Sequence, residues 1–216
     1  MNWTKNLKRR GLRYVRYADD VSIYVRSKRS SERVLNSVRT YIENKLLLKV
    51  NKEKSQVSRP GKSKLLGFTF GKRKDEWSVY VSPKSKQRIK EKIKSVTNRR
   101  KSMNLQVRLQ KLSQITIGWC SYYKLADCKS FLLSLDEWTR FRIRMCIWKA
   151  WKTPNKRIRE LVKLGMDKWK AYRNGNTRKG YCRIAHSGIL NHTLTNAELE
   201  RLGFQPLLTY YKSRHV

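Results

Sequence analysis

The sequence predicts an α+β chain, with antiparallel strands and one helix in the first third and an all-α bundle after it. Three observations carry that expectation. Runs of β-branched and aromatic residues with a period near two occur at Tyr14-Val15-Arg16-Tyr17, Val21-Ser22-Ile23-Tyr24-Val25, Leu65 to Phe70 and Trp77 to Val81. From Pro83 onward the apolar residues recur instead at spacings of three and four, the period of a helix with one buried face. A chain of 216 residues with 39% hydrophobic side chains is also long and apolar enough to bury a core.

The segment Met1 to Gly11 is basic and leads at once to the first strand, with no apolar core of a signal peptide after Met1-Asn2-Trp3-Thr4-Lys5. Ala18-Asp19-Asp20 falls between two strand-like runs and reads as a hairpin turn. Ser30 or Ser31 caps a helix whose apolar stripe is Val34, Val38 and Ile42, with Leu35, Tyr41 and Leu46 one step round. Leu47, Leu48 and Val50 lead into an extended segment that contains Lys54. Leu65 to Phe70 forms a strand paired through the charged loop Gly71-Lys72-Arg73-Lys74-Asp75-Glu76 with Trp77 to Val81. Gly67 inside that strand reads either as a bulge or as a point of close backbone approach.

Ser82-Pro83 marks the boundary, because proline breaks a strand and suits the first turn of a helix. Three amphipathic helices follow and predict a bundle over 83–153. The first runs from Lys84 to about Lys101 around Ile89, Ile93 and Val96. The second is capped by Asn104, with Leu105, Leu109, Leu112, Ile115 or Thr116, Trp119 and Tyr123 on one stripe. The third opens at Ser130 or Leu132 and carries Leu135, Trp138, Met145 and Trp148. Trp119, Trp138 and Trp148 lie on these stripes and read as core, with base stacking as the alternative. Residues 154–216 read as a basic C-terminal extension: a short helix Asn155 to Leu164, a segment around Asp167 to Tyr172, the basic loop Asn174 to Gly180, and a helix from Ala197 to Leu202 stopped by Gly203.

Charge narrows the function. Lys and Arg number 52 against 15 acids, a formal balance of +37, and the sequence pI is about 10.6. Residues 1–82 hold 21 basic and 7 acidic side chains, and residues 83–216 hold 31 and 8, so the second part is the more basic. Self-repulsion on this scale calls for a polyanionic partner. The alternatives for so much charge are an anionic membrane surface and a solvated face, but the interleaving of the cations with seven Trp and eleven Tyr favours nucleic acid, held by phosphate contacts and base stacking. No apolar run approaches the roughly 20 residues of a membrane helix, so the expectation is a cytoplasmic, nucleic-acid-associated protein without a membrane partner. Cys120, Cys128, Cys146 and Cys182 lie far apart, and His186, His192 and His215 supply no zinc spacing beside them, so the thiols read as structural in a reducing compartment.

Asp19 and Asp20 admit two readings. Asp is a favoured turn residue, so one reading of the pair is a tight turn and nothing more. Two carboxylates on a hairpin within a cationic chain also suit Mg²⁺, a hard cation that takes oxygen ligands and shares them with phosphates. The order and spacing of three blocks decide which relatives to consider. Tyr17-Ala18-Asp19-Asp20, then Leu48-Lys49-Val50-Asn51-Lys52-Glu53-Lys54-Ser55, then Leu65-Leu66-Gly67-Phe68-Thr69-Phe70 resemble the second half of the palm of a bacterial group II intron reverse transcriptase/maturase. Gly118-Trp119-Cys120-Ser121-Tyr122-Tyr123 stands where that family carries a similar aromatic cluster in its thumb, or maturase-specific region.

The resemblance implies residues 1–82 as the closing part of a palm, 83–153 as a thumb/maturase domain, and RNA-directed DNA synthesis with Mg²⁺ together with binding of intron RNA. Asp19 and Asp20 would be the catalytic metal ligands, with Tyr17 and Ala18 against primer or nucleotide. Lys54 would meet the triphosphate or protonate the leaving pyrophosphate; its other reading is one lysine among many. Leu66, Gly67 and Phe68 would lie at the primer grip. RNA phosphates would fall to Lys84, Arg88, Lys92, Arg99, Arg100, Lys101, Arg108, Lys111, Arg140, Arg142, Arg144, Lys149 and Lys152, since few acids are present to pair with them. The family's fingers and the upstream palm aspartate have no counterpart in the sequence, nor has its His/Cys-rich nuclease domain. The expectation is therefore little polymerase activity by this chain alone, and a separate chain carrying the missing part as partner to the RNA template and DNA primer. A non-catalytic RNA-binding splicing module and a remnant of a mobile element are the alternatives.

Overall fold

The computed structural model of the chain describes residues 4–73 and 75–214. Met1, Asn2 and Trp3 of the basic start, Lys74 of the charged loop, and His215 lie outside the described residues. The chain divides into two compact units, 1–78 and 79–216, and the division falls inside a strand.

In the first unit a short helix, α1 (Thr4–Arg9), precedes the first strand, where the sequence suggested only a basic lead-in. Leu7 anchors it, at 2% exposure. Gly11 ends it at φ 65°, its N–H donating to the Lys8 carbonyl at 2.9 Å while Leu12 N–H reaches the Leu7 carbonyl at 3.0 Å. A side chain at that φ would be strained, which is why glycine stands there. Strands β1 (Arg13–Tyr17) and β2 (Asp20–Tyr24) pair antiparallel with Arg16 opposite Val21 and Tyr17 opposite Asp20. The loop is therefore only Ala18-Asp19, one residue shorter than expected, and Asp20 is the first residue of β2.

Helix α2 (Lys28–Lys45) starts earlier than the serines at 30 and 31 suggested. Ser27 is extended at φ −133°, and its Oγ accepts the Ser30 N–H at 3.2 Å, which makes it the N-cap. Ser31 instead donates back to the Ser27 and Lys28 carbonyls inside the first turn. Of the predicted stripe only Val34 is buried; Leu35, Val38, Tyr41 and Ile42 are half-buried. The second sheet has the order β3 (Lys64–Leu65), β4 (Phe68–Arg73), β5 (Glu76–Val81). This corrects the single strand expected from Leu65 to Phe70. Leu65 pairs with Phe68, so Leu66-Gly67 is a two-residue turn, with φ 52° and 82°. Positive φ at both central residues is the hairpin-turn geometry that matches strand twist, and it accounts for Gly67 without a bulge.

The second unit is helical after the end of β5. Ser82 caps α3 (Pro83–Val96), its Oγ accepting the Ser85 N–H. The helix stops five residues short of the expected Lys101. Thr97 Oγ1 donates back to the Ile93 carbonyl at 2.7 Å, and two arginines from other helices, Arg108 and Arg142, occupy the last carbonyls. Helix α4 (Leu105–Tyr122) has the predicted cap, Asn104, which accepts the Gln106 N–H at 2.9 Å. Helix α5 (Lys129–Ala150) begins just ahead of the expected serine.

α6 (Pro154–Lys163) and α7 (Lys168–Gly175) follow, then α8 (Tyr181–Ala185), α9 (Gly188–Thr193), α10 (Asn196–Arg201) and α11 (Leu207–Arg214). The loop expected around Arg178 leads into α8, and the tail forms α11. The C-terminal segment, read as an extension, thus joins the bundle: α8 packs on α5, and α11 lies against α4 and α5. Its seat is specific. The buried Asp136 carboxylate accepts the Leu207 N–H at 2.9 Å and the Leu208 N–H at 3.0 Å, and Tyr211 donates to the Ala126 carbonyl at 2.8 Å. Leu132, Leu135, Ile143, Leu161, Ile184, Leu190 and Tyr211 are all fully enclosed.

Candidate active site and nucleic-acid interface

Asp19 and Asp20 are adjacent and both exposed, one in the hairpin loop and one at the head of β2. The loop holds them at a cost. Ala18 sits at φ 51°, a left-handed conformation that a non-glycine residue adopts at roughly 1–3 kcal/mol. Arg16 Nε donates to the Ala18 carbonyl at 2.9 Å and fastens that geometry. Tyr17, at 62% exposure, stands beside the pair with its ring open to solvent. Among the described residues no group of three or more His, Cys, Asp or Glu side chains is placed to hold a metal. Two exposed carboxylates are the right donors for a hard cation, and they leave most of its coordination shell to other oxygens.

The other residues singled out in the first unit are also accessible to some degree. Lys54 stands in a turn of residues 52–54, not in an extended run; Asn51 Oδ1 closes that turn by accepting the Glu53 and Lys54 N–H groups at 3.1 Å. Leu66, Gly67 and Phe68 are half-buried at the turn between β3 and β4. Leu66, like Ala18, carries a positive φ without being glycine.

In the second unit the basic residues fall into two sets. Lys84, Arg88 and Lys92 recur every four residues on the outer side of α3 and are exposed, as are Arg99, Arg100, Lys101, Lys111, Lys149 and Lys152. These present charge to solvent. Arg99 and Lys149 flank the ring of Tyr181 on α8, at 5.4 and 5.1 Å from its centroid, an aromatic residue the sequence reading passed over.

Arg108, Arg142 and Arg144 are engaged inside the fold. Arg108 is 4% exposed and donates to the Val96, Asn98 and Lys101 carbonyls. Arg142 donates to Thr97 Oγ1 and to the Lys94 and Thr97 carbonyls, so both guanidinium groups cap the C-terminus of α3. Arg144 Nε donates to the Leu194 carbonyl at 2.8 Å. Burial pulls the Arg142 and Arg144 groups down from their ordinary values. All three were expected at RNA phosphates; for Arg108 alone the sequence holds a signal against that, its place on the apolar stripe between Leu105 and Leu112, where a solvated side chain does not belong. Arg140 and Arg144 also line an open polar cavity of about 450 Å³ with Glu137, Asn191 and Asn196.

The thiols behave as buried structural groups at three of four positions. All four cysteines are free; Cys120, Cys128 and Cys146 are buried and Cys182 is exposed. Burial pushes the Cys120 thiol up to about 12 and the Cys128 thiol up to about 11, which leaves them protonated and unreactive at neutral pH. Among the described residues no helix is long and apolar enough to cross a membrane.

Comparison with known families bears on both units. Residues 1–70 match the family model for reverse transcriptase (RNA-dependent DNA polymerase), and residues 86–165 match that for the group II intron, maturase-specific domain. No curated protein matches the chain. The two matches stand in the order in which strands and helical bundle occur, and between them they take in most of the sequence. The chain belongs to the group II intron reverse transcriptase/maturase family.

Proposed function

We propose that residues 1–82 serve as the closing part of a polymerase palm and that the helical remainder holds intron RNA, in a cytoplasmic, nucleic-acid-associated protein. The observation that carries this reading is the exposed Asp19-Asp20 pair on a strained hairpin, inside the segment matching reverse transcriptases, in a chain of net charge +37. Asp19 and Asp20 would hold Mg²⁺, which when bound supplies activation of a primer 3′-hydroxyl and stabilisation of the departing pyrophosphate. Tyr17 and Ala18 pack against primer or nucleotide, Lys54 meets phosphate, and Leu66, Gly67 and Phe68 support the primer. RNA is held by the exposed row Lys84, Arg88 and Lys92 and by Arg99, Arg100, Lys101, Lys111, Lys149 and Lys152.

Further carboxylate ligands come from a separate polypeptide carrying fingers and upstream palm. Two features favour this. A two-stranded hairpin is marginal alone in water, and β1 leaves Val15 and Tyr17 at 47% and 62% exposure. The donor set is also short of the ligands that two metal ions require among the described residues. In a primer-extension assay on an RNA template, this chain alone gives little product, and the chain mixed with such a polypeptide gives product that Asp19→Ala abolishes. Extension left intact by Asp19→Ala contradicts the metal assignment.

A second reading, a non-catalytic RNA-binding splicing module, is favoured by the closed core of the helical unit, which needs no polymerase to be stable. Binding to structured RNA then weakens steeply with salt, as phosphate contacts displace counterions. A salt-independent affinity contradicts the phosphate account in both readings.

A further inference from the structure

Helix α7 lies beyond the segment matched by the maturase-specific model, and no role attaches to it so far. Its two sides differ sharply. Ala171 and Gly175 are buried against α6, where a Cβ added to Gly175 would come within 2.5 Å of Ile158 Cγ1 and 3.2 Å of Ile158 N. Glycine is therefore required for this close approach, and it fixes which face of α7 looks outward. The turn between the helices is fixed as well: Gly165, at φ 87°, donates to the Val162 carbonyl at 2.9 Å, and Met166 N–H reaches the Leu161 carbonyl at 3.0 Å.

The outward face carries Lys168, Trp169, Tyr172 and Arg173, with Lys170 at its edge, all exposed. Trp169 and Tyr172 are 69% and 66% exposed. At a spacing of three they are neighbours on the helix surface, about 5–6 Å apart at Cβ. Large rings are among the residues most costly to leave in water, and two of them side by side, ringed by three cations, are a poor surface for a protein that has no use for them. The one acid in the segment, Asp167, is turned to the backbone as N-cap, accepting the Trp169 and Lys170 N–H groups at 3.0 and 3.1 Å. The face is thus aromatic and cationic with no carboxylate directed into it by these contacts.

We propose that this face is a stacking platform for unpaired bases of RNA, with Trp169 and Tyr172 taking the base faces and Lys168, Lys170 and Arg173 the flanking phosphates. Charge complementarity selects a polyanion over an apolar protein groove. The exposed rings select single-stranded over paired RNA, because in a duplex the base faces are already stacked and side chains meet only edges, hydroxyls and phosphates. The platform rests on the reading of the helical unit as RNA-binding and adds the chemical form of the RNA that is bound.

The test uses the full chain, with wild type, Trp169→Ala/Tyr172→Ala and Trp169→Phe/Tyr172→Phe variants, and fluorescence anisotropy at one salt concentration. The probes are a 12-nucleotide oligouridine, the DNA strand of matching length and an RNA duplex of that length. The double alanine variant should bind the single-stranded RNA about tenfold or more weakly, since base–aromatic stacking contributes roughly 1–3 kcal/mol per base. Duplex affinity should hold within about twofold, and phenylalanine should restore most of the loss. Single-stranded RNA binding unchanged in the alanine variant overturns the platform while leaving the RNA-binding unit standing. Equal loss on duplex and single strand also overturns it, and so does a loss confined to DNA. Absence of RNA binding by the wild type defeats the platform and the broader reading together.

Discussion

The two units of this chain are built to different standards of closure. Residues 1–78 bury only Leu7 and Val34 among their described apolar side chains, whereas the helical unit encloses residues from nearly every one of its helices. The first unit also holds all four described non-glycine residues with positive φ, namely Ala18, Leu47, Leu66 and Asp75. The sparse, strained unit carries the carboxylate pair, and the dense one carries most of the cationic surface. Stability is thus concentrated away from the residues proposed for chemistry. A substitution should report on one property or the other according to where it falls.

The largest expected effect is in the helical core. Leu135→Ala, at a fully buried position on α5, should cost about 2–5 kcal/mol in denaturant unfolding. Val38→Ala on α2, half-buried, should cost less than about 1 kcal/mol, because little enclosed volume is lost. Equal costs would erase the distinction between the units.

Next come the arginines. Arg142→Ala should destabilise the helical unit by about 1–3 kcal/mol, since it strips acceptor partners from the C-terminus of α3. Lys92→Ala should leave stability within about 0.5 kcal/mol and reduce the salt dependence of RNA binding by about one unit of slope. The reverse pattern would mean that burial is a poor guide to which cations meet phosphate.

Alkali separates the units by a different route. Burial raises Cys120 to about 12 and Cys128 to about 11 from an ordinary 9.0, and Tyr211 to about 12 from 10.0. All three are protonated in both states below pH 9, so their contribution is then fully present. Above pH 9 the unfolded chain ionises first, and stability is lost as the pH rises toward 11–12. Urea midpoints of the helical unit should fall across that window, and fall less in Cys120→Ala/Cys128→Ala. An unchanged slope in the double variant would place the titration elsewhere.

The smallest effect is at the hairpin. Ala18→Gly should slow local opening of β1–β2, with a gain of up to about 1 kcal/mol read by amide exchange, because glycine relieves the positive φ. A loss instead would mean that the glycine's extra unfolded-state entropy outweighs the strain.

Much of this arrangement was legible from residue type and spacing. The two β-branched runs around Asp19-Asp20 gave the hairpin, Asn104 gave its cap, and the stripe of Leu109, Leu112 and Thr116 gave the buried side of α4. Legibility ended where a residue's partner lies far along the chain. Leu66-Gly67 read as strand interior because its turn is set by backbone dihedrals that Leu66 does not advertise. Arg142 and Arg144 read as surface because their acceptors are carbonyls 45–50 residues away. The tail was unreadable as core for the same reason, since Asp136 meets Leu207 across 71 residues. The carboxylate pair was found by local pattern, because both residues stand next to each other in the sequence at the end of one β-branched run and the start of the next.

The most direct test of the account is to map the cation itself. With Fe²⁺ and peroxide added to the full chain in the presence of RNA, hydroxyl radicals should cut the backbone around residues 17–21. Excess Mg²⁺ and Asp19→Ala should each suppress that cut. Cleavage confined to other segments, or a cut at the hairpin that persists in Asp19→Ala, would contradict the assignment of the acidic tip as the metal site.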